Sequence, residues 1–273
     1  MKIEKRFSLD SIKDEFRIWT QLAKPELDLP LNVLDICKYG FTEILNNVIE
    51  HSQGQNVVIR EEQNIDSTIL EIEDDGAGIF MKLRNYFSLD SDIHALIELV
   101  KGKLTVAPET HSGEGIFFAS KMFDRFIIES GGLSVLFIHN RCKIQNMEPR
   151  QGTLVRMEIA NNSDRTAEHV FNLFCDTEEL TFNKTYFSLS LAAFEGNLVS
   201  RSQARRITAR LEQFWEIELD FTGIENIGQA FADELLRVWP LAHPKIKLSV
   251  INACENVLKM ISHIKKRSDL PQP

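Results

Sequence analysis

Apolar positions along this chain change their spacing repeatedly, and each change marks an element. A short strand is predicted over 3–7. Ile12, Phe16, Trp19 and Leu22 then recur three or four residues apart, the spacing of one helix face, and predict a helix over 11–23. Pro25 and Pro30 break the chain, and a second helix begins near Leu31. Residues 56–61 and 67–73 read as paired strands joined by a polar turn, and 92–100 as a helix. Strands are predicted over 125–130, 134–139 and 153–159, with Gly131-Gly132 as a hairpin turn. The first half therefore reads as helices covering one face of a mixed sheet.

The second half has a different rhythm. A strand over 187–191 precedes a helix over 202–214, whose Ala204, Ile207, Leu211 and Phe214 share a face. Ile217, Leu219 and Phe221 alternate along a strand over 216–221. A helix over 229–239, a strand over 245–251 and a helix over 255–265 complete the pattern. Strands alternating with helices imply a small sheet with helices packed on it. The polar, turn-forming run Asn161 to Arg165 is the natural boundary, and 166–173 reads as a connecting helix. The expected division is a first domain over 1–163, a linker over 164–181, a second domain over 182–267 and a tail over 268–273. The fold class is α/β (α+β) in two domains, and 273 residues are enough for both.

Charge and cysteine usage narrow the function classes. A net charge of −9 argues against broad binding to nucleic acid or membrane surfaces. The basic cluster Lys265-Lys266-Arg267 closes a helix, where it complements the dipole. No apolar run approaches the roughly 20 residues that span a bilayer, and no signal peptide is visible after Met1. Cys37, Cys142, Cys175 and Cys254 show no paired spacing and read as free thiols of a cytoplasmic protein.

Four short runs carry the candidate chemistry. In the helix containing Glu43 to His51, the residues Glu43, Asn47 and His51 stand at i, i+4 and i+8 and line one face. A carboxylate there can orient a water, and a carboxamide oxygen can hold Mg²⁺ that already carries phosphate oxygens. His51 is read as holding the end of its helix. The strand over 67–73 runs into Asp74-Asp75-Gly76-Ala77-Gly78, whose glycines allow a tight turn and close approach to a ligand. Ser112-Gly113-Glu114-Gly115 opens a helical run, where free backbone N–H groups suit phosphate. Gly152-Thr153 begins the late strand. No Gly-x-x-x-x-Gly-Lys-Ser/Thr loop occurs, and Gly76 and Gly78 lack a third glycine at the dinucleotide spacing.

In this order the four runs resemble the Bergerat-type ATPases, the group containing gyrase B, MutL, histidine-kinase ATP domains and anti-sigma-factor kinases. The resemblance covers most of residues 1–160. It implies that Asn47 binds Mg²⁺ and that Glu43 is the general base. It further implies that Asp74 reads the adenine amine and that Gly76 and Gly78 line the base pocket, with Thr153 in support. Gly113 and Gly115 would back the phosphates. The stretch 80–111 would be an ATP lid, with Lys101 and Lys103 as phosphate contacts. ATP and Mg²⁺ are the implied cofactors.

The run from Leu219 to Glu234, with Arg201-Ser202-Gln203-Ala204 before it, resembles a STAS-type domain over about 182–265. In phosphorylated members of that fold a serine follows the strand. Gln229 and Ala230 stand there instead, so the phosphoswitch is not expected on this domain. Asp233 and Glu234 read as first-turn acids favoured by the helix dipole. The implied function is a Mg·ATP-binding regulatory protein whose ATPase-like domain controls a protein-interaction domain. It would hydrolyse ATP slowly or transfer its phosphoryl group. The alternatives are a non-hydrolysing ATP-sensing scaffold and a Ser/Thr kinase acting on a partner in trans. A protein partner is expected, and the apolar face of the second half suits a homodimer or a heteromer.

Overall fold

The computed structural model describes residues 2–23, 27–104, 113–138, 141–176, 181–194 and 196–268. The chain is α/β (α+β) and divides into two compact units, Met1–Asn172 and Leu173–Pro273. The division falls within a single helix, α6 (Ala167–Phe174).

The first unit is built on a sheet of order β1-β2-β3-β5-β4. Its strands are β1 (Lys2–Ser8), β2 (Asn56–Gln63), β3 (Ser67–Asp74), β4 (Arg125–Ile138) and β5 (Arg141–Ala160). The sheet expected to be mixed is antiparallel at every pairing between these strands. Alternation makes it two-faced. Val57, Ile59, Leu70, Ile72, Phe126, Ile128, Val155 and Met157 point into the core. The opposite face carries an ion-pair lattice: Arg60 to Glu73 at 2.7 Å, Arg156 to Glu71 at 2.7 Å and Arg150 to Glu129 at 3.0 Å.

One strand is sharply bent. A continuous strand would hold Phe126 and Phe137 about 36 Å apart. Their rings lie 5.9 Å apart, and Ser134 donates to Glu129 at 3.3 Å. Gly131-Gly132, expected as a hairpin turn between two strands, instead lies inside β4, which pairs with β5 on both sides of it; the register shifts at Gly131 (φ +56°) mark where the paired ribbon bends.

Helix α2 (Leu31–His51) packs on the core face through Val33, Ile36, Phe41, Ile44, Leu45 and Val48. Gly40 is required there, because a Cβ would meet the Phe123 ring at 2.4 Å. The helix expected over 11–23 is shorter. Ser11 bonds back to the Ser8 carbonyl and Asp14 caps Phe16 N–H at 2.9 Å, so α1 (Glu15–Ile18) starts late. It continues as a π-helical turn, Trp19–Ala23. The expected lid begins with two helices, α3 (Ile79–Phe87) and α4 (Asp92–Lys101). Its last stretch, 105–111, and Ser112 lie outside the described residues. Helix α5 (Gly115–Met122) follows.

The second unit holds three parallel strands in the order β6-β7-β8: β6 (Lys184–Ser188), β7 (Glu216–Asp220) and β8 (Lys247–Ile251). Strand β6 begins earlier than expected and ends where Leu189 N–H bonds the Asp220 carbonyl at 2.9 Å. A one-turn helix, α7 (Ser190–Ala193), follows. The helix expected over 202–214 divides into α8 (Arg201–Thr208) and a 3₁₀ turn, Leu211–Gln213. Arg210 between them takes φ +64°, yet Leu211 and Phe214 are still buried. The apolar spacing is thus served by two pieces rather than one. Between β7 and β8 run α9 (Gln229–Asp233), a π-helical turn (Glu234–Val238) and α10 (Trp239–Ala242). Helix α11 (Glu255–Ser268) packs against α9.

Candidate functional site

The first unit contains a cavity of about 280 Å³. Its walls draw on four separated stretches of sequence. From α2 come Glu43, Asn47 and His51; from the end of β3 and its turn come Asp74 and Gly78. Gly113 and Gly115 enter at the start of α5, and Thr153 enters from β5. The i, i+4, i+8 spacing places the three α2 side chains along one wall, about 12 Å from first to last.

The two adjacent acids play opposite parts. Asp75 turns away from the cavity and accepts from Gln55 N–H at 2.7 Å, Asn56 N–H at 2.9 Å and the Asn56 amide at 2.8 Å. Those bonds, the Asn56 side chain's first, hold its carboxyl below the usual range. Asp74 faces the cavity and is 5 % exposed. Burial pushes its pKa up, against the Gly76 N–H donated at 2.8 Å.

Glycine is required where this framework closes. Gly152 has φ +71°, and a Cβ there would sit 1.9 Å from the Asp74 carbonyl oxygen. A Cβ on Gly76 would sit 2.0 Å from the Ser52 carbonyl oxygen. Gly76 is therefore the turn beneath the cavity, not its wall. Thr153 Oγ accepts the Ile79 N–H at 3.0 Å, tying β5 to the first residue of α3. At the far end, a Cβ on Gly115 would meet Glu43 Oε2 at 1.9 Å. The Glu43 carboxylate is thus seated against the backbone that opens α5. The first N–H groups of any helix lack intrahelical partners, so this end offers donors beside a carboxylate.

Lys101 and Lys103 do not line the cavity. Lys101 is buried, with its ammonium 2.6 Å from Glu98 one turn earlier on α4. Lys103 takes a left-handed backbone conformation, φ +57°. The cation that does reach the wall is Lys82, in the second turn of α3. It donates to the His51 carbonyl, and burial lowers its pKa. Sequence reading passed over it. The signal was its place four residues after Gly78, one turn into a helix that was read as lid. Apolar walls come from Ile44, Val48, Ile72, Leu83, Leu99 and Val155.

Among the described residues no cluster of three or more His, Cys, Asp or Glu side chains could cage a metal. Glu43 and Asn47 are a donor pair of the kind Mg²⁺ uses when phosphate oxygens and water complete its shell. Cys37 and Cys142 are pushed up to about 12, chiefly by burial, and are unreactive as thiolates.

The second unit is organised around a different acid. Asp220 ends β7 and is 1 % exposed. It accepts from Tyr186 O–H, from Thr222 N–H at 2.9 Å and hydroxyl at 2.7 Å, and from the Asn252 amide at 2.9 Å. Burial alone would raise its pKa; these bonds bring it below the usual range. Residues 203–258 match the family model of a STAS-like domain of unknown function (DUF4325). No curated protein matches the chain.

The matched stretch of the STAS-like domain runs from α8 to α11 and includes Asp220. Gln229 opens α9 behind Gly228, whose Cβ would meet Val199 at 2.7 Å. Asp233 and Glu234 are more than dipole-favoured acids. Asp233 takes both ends of the Arg237 guanidinium, at 2.5 and 2.9 Å, and lies 3.6 Å from Arg201. Glu234 accepts from Arg205 at 2.8 Å. These buried acids tie α8 to the helical run after β7, and the i, i+4 spacing of Asp233 and Arg237 already pointed to one of the pairs. No helix among the described residues is long and apolar enough to cross a membrane.

Proposed function

We propose that this protein binds Mg·ATP in the first-unit cavity and uses that binding to control its STAS-like domain. The observation that carries the reading is convergence. Glu43, Asn47, Asp74, Gly78, Gly113, Gly115 and Thr153 come from four separated runs and line one cavity. Each has the chemistry its position asks for.

On this reading Asp74 accepts the exocyclic amine of adenine, in a pocket floored by Ile72 and Val155. Its retained carboxylate oxygens are oriented by the Gly76 N–H. Asn47 and Glu43 stand where a metal brought in with the nucleotide would find oxygen ligands; bound there, Mg²⁺ neutralises phosphate charge. The N–H groups opening α5 receive the terminal phosphates. Glu43, seated against Gly115, takes a proton from the attacking hydroxyl, whether of water or of a protein side chain. The STAS-like domain, whose buried acids are all engaged in its own framework, serves as the partner-binding output.

Calorimetric titration of Mg·ATP into wild type and Asp74→Asn, followed by phosphate release on the same samples, tests this. Wild type binds, and Asp74→Asn binds at least tenfold more weakly. Glu43→Ala keeps binding and loses turnover. Absence of Mg·ATP binding by wild type would sink the reading; turnover undiminished in Glu43→Ala would remove the role of that carboxylate.

A further inference from the structure

The cavity carries carboxylates at Glu43, Asp74 and Glu114, and Lys82 is the only Lys or Arg among the described residues that line it. A polyanionic ligand needs more than a metal at one end, so the place of this cation matters. Lys82 projects from α3 and donates to the His51 carbonyl, at the C-terminal end of α2. That end abuts the Asp74 turn, since Ala77 N–H bonds the Ser52 carbonyl at 3.0 Å. Glu43 stands two turns away, about 12 Å back along α2. Lys82 therefore belongs to the end of the cavity that holds Asp74, not to the end that holds Glu43.

The ammonium has three protons, and the His51 carbonyl uses one. It forms no ion pair with the described residues, in contrast to Lys101, whose charge is neutralised by Glu98. Burial lowers its pKa, the state of a cation that gains by meeting an anion.

We infer that Lys82 binds the phosphate nearest the nucleoside, so that the cavity selects nucleotides over nucleosides irrespective of how many phosphates follow. The inference rests on the reading of the cavity as an adenine-nucleotide site and adds to it a residue and a selectivity. A cation at the far end would discriminate ATP from ADP. A cation at this end acts alike on the mono-, di- and triphosphate, because all three share the proximal phosphate.

The test is a fluorescence competition series with adenosine, AMP, ADP and Mg·ATP on wild type, Lys82→Met and Lys82→Gln. Thermal midpoints are measured alongside to show that both variants fold. The expected result is a loss of about tenfold in affinity for AMP, ADP and Mg·ATP by the same factor, with adenosine unchanged, as the removal of one charge-assisted hydrogen bond requires. Equal weakening of adenosine, or loss confined to Mg·ATP, would overturn the inference and leave the nucleotide reading standing. Unchanged affinities in both variants would overturn it as well. Failure of wild type to bind any of the four ligands would remove the nucleotide reading, and the inference with it.

Discussion

Asp74 and Asp75 are chemically identical neighbours with opposite electrostatics, and the difference yields predictions of opposite sign. Burial raises the Asp74 pKa, so its charged form is a cost to the folded state once the pH exceeds that value. Asp74→Asn removes the cost and keeps an acceptor for Gly76 N–H. The ligand-free variant is expected to melt at a higher temperature than wild type in calorimetry, even as it loses nucleotide. Asp75 is the reverse case. Its folded pKa lies below the ordinary aspartate value of 3.8, so its stabilisation is present above that value and lost as pH falls through the folded one. Urea midpoints of wild type should therefore drop below about pH 4, and Asp75→Ala should show a lower, flatter acid limb. Gly115 makes a third prediction at this scale. Its Cβ would stand 1.9 Å from Glu43 Oε2, so Gly115→Ala must rotate the carboxylate away. Phosphate release is expected to fall at least tenfold while nucleotide affinity changes far less, a split that steady-state kinetics with calorimetry would read.

At the scale of elements, α6 holds the two helices that frame the cavity. Its Phe171 packs on Phe118 of α5 at 4.6 Å between ring centroids and on Tyr39 of α2 at 5.5 Å. Phe118 is one turn past Gly115, and Tyr39 is one turn before Glu43. Phe171→Ala is expected to cost about 1–2 kcal/mol, from a half-buried ring with two aromatic partners. Chemical denaturation followed by amide exchange would place the loss in α2 and α5. Elements were also where sequence reading was least reliable. Over 11–23 Ile12 and Trp19 are buried but Phe16 is 47 % exposed, and the Asp14 cap and the Ser11 turn moved the helix start. Likewise Leu211 and Phe214 continue the α8 pattern and are buried, although Arg210 breaks the helix between them. There the apolar spacing reports which side chains go inside; it does not report whether one helix or two deliver them.

At the scale of the molecule, two units joined through α6 predict two unfolding steps. Scanning calorimetry should resolve two transitions, and saturating Mg·ATP should raise the one belonging to Met1–Asn172 by more than the other. A single transition would count against independent units, and an unmoved first transition would count against the site. Asn161 to Arg165 was the expected boundary because polar turn residues cannot fill a core; the first compact unit runs on through Asn172. By itself the sequence determined the alternating strands, the second-half rhythm of strand and helix, and the four runs whose residues line the cavity. These are local properties: period, turn chemistry and glycine placement are written within a few residues of where they act. Only the tertiary structure decided what turns Asp75 away while Asp74 faces the cavity, that Gly76 underlies it rather than lines it, and that Lys82 rather than Lys101 or Lys103 supplies its cation. Each of those outcomes depends on what packs against the residue from elsewhere in the chain: Asn56 drawing Asp75 away, Ser52 closing over Gly76, Glu98 neutralising Lys101. A sequence read in order does not display its neighbours in space.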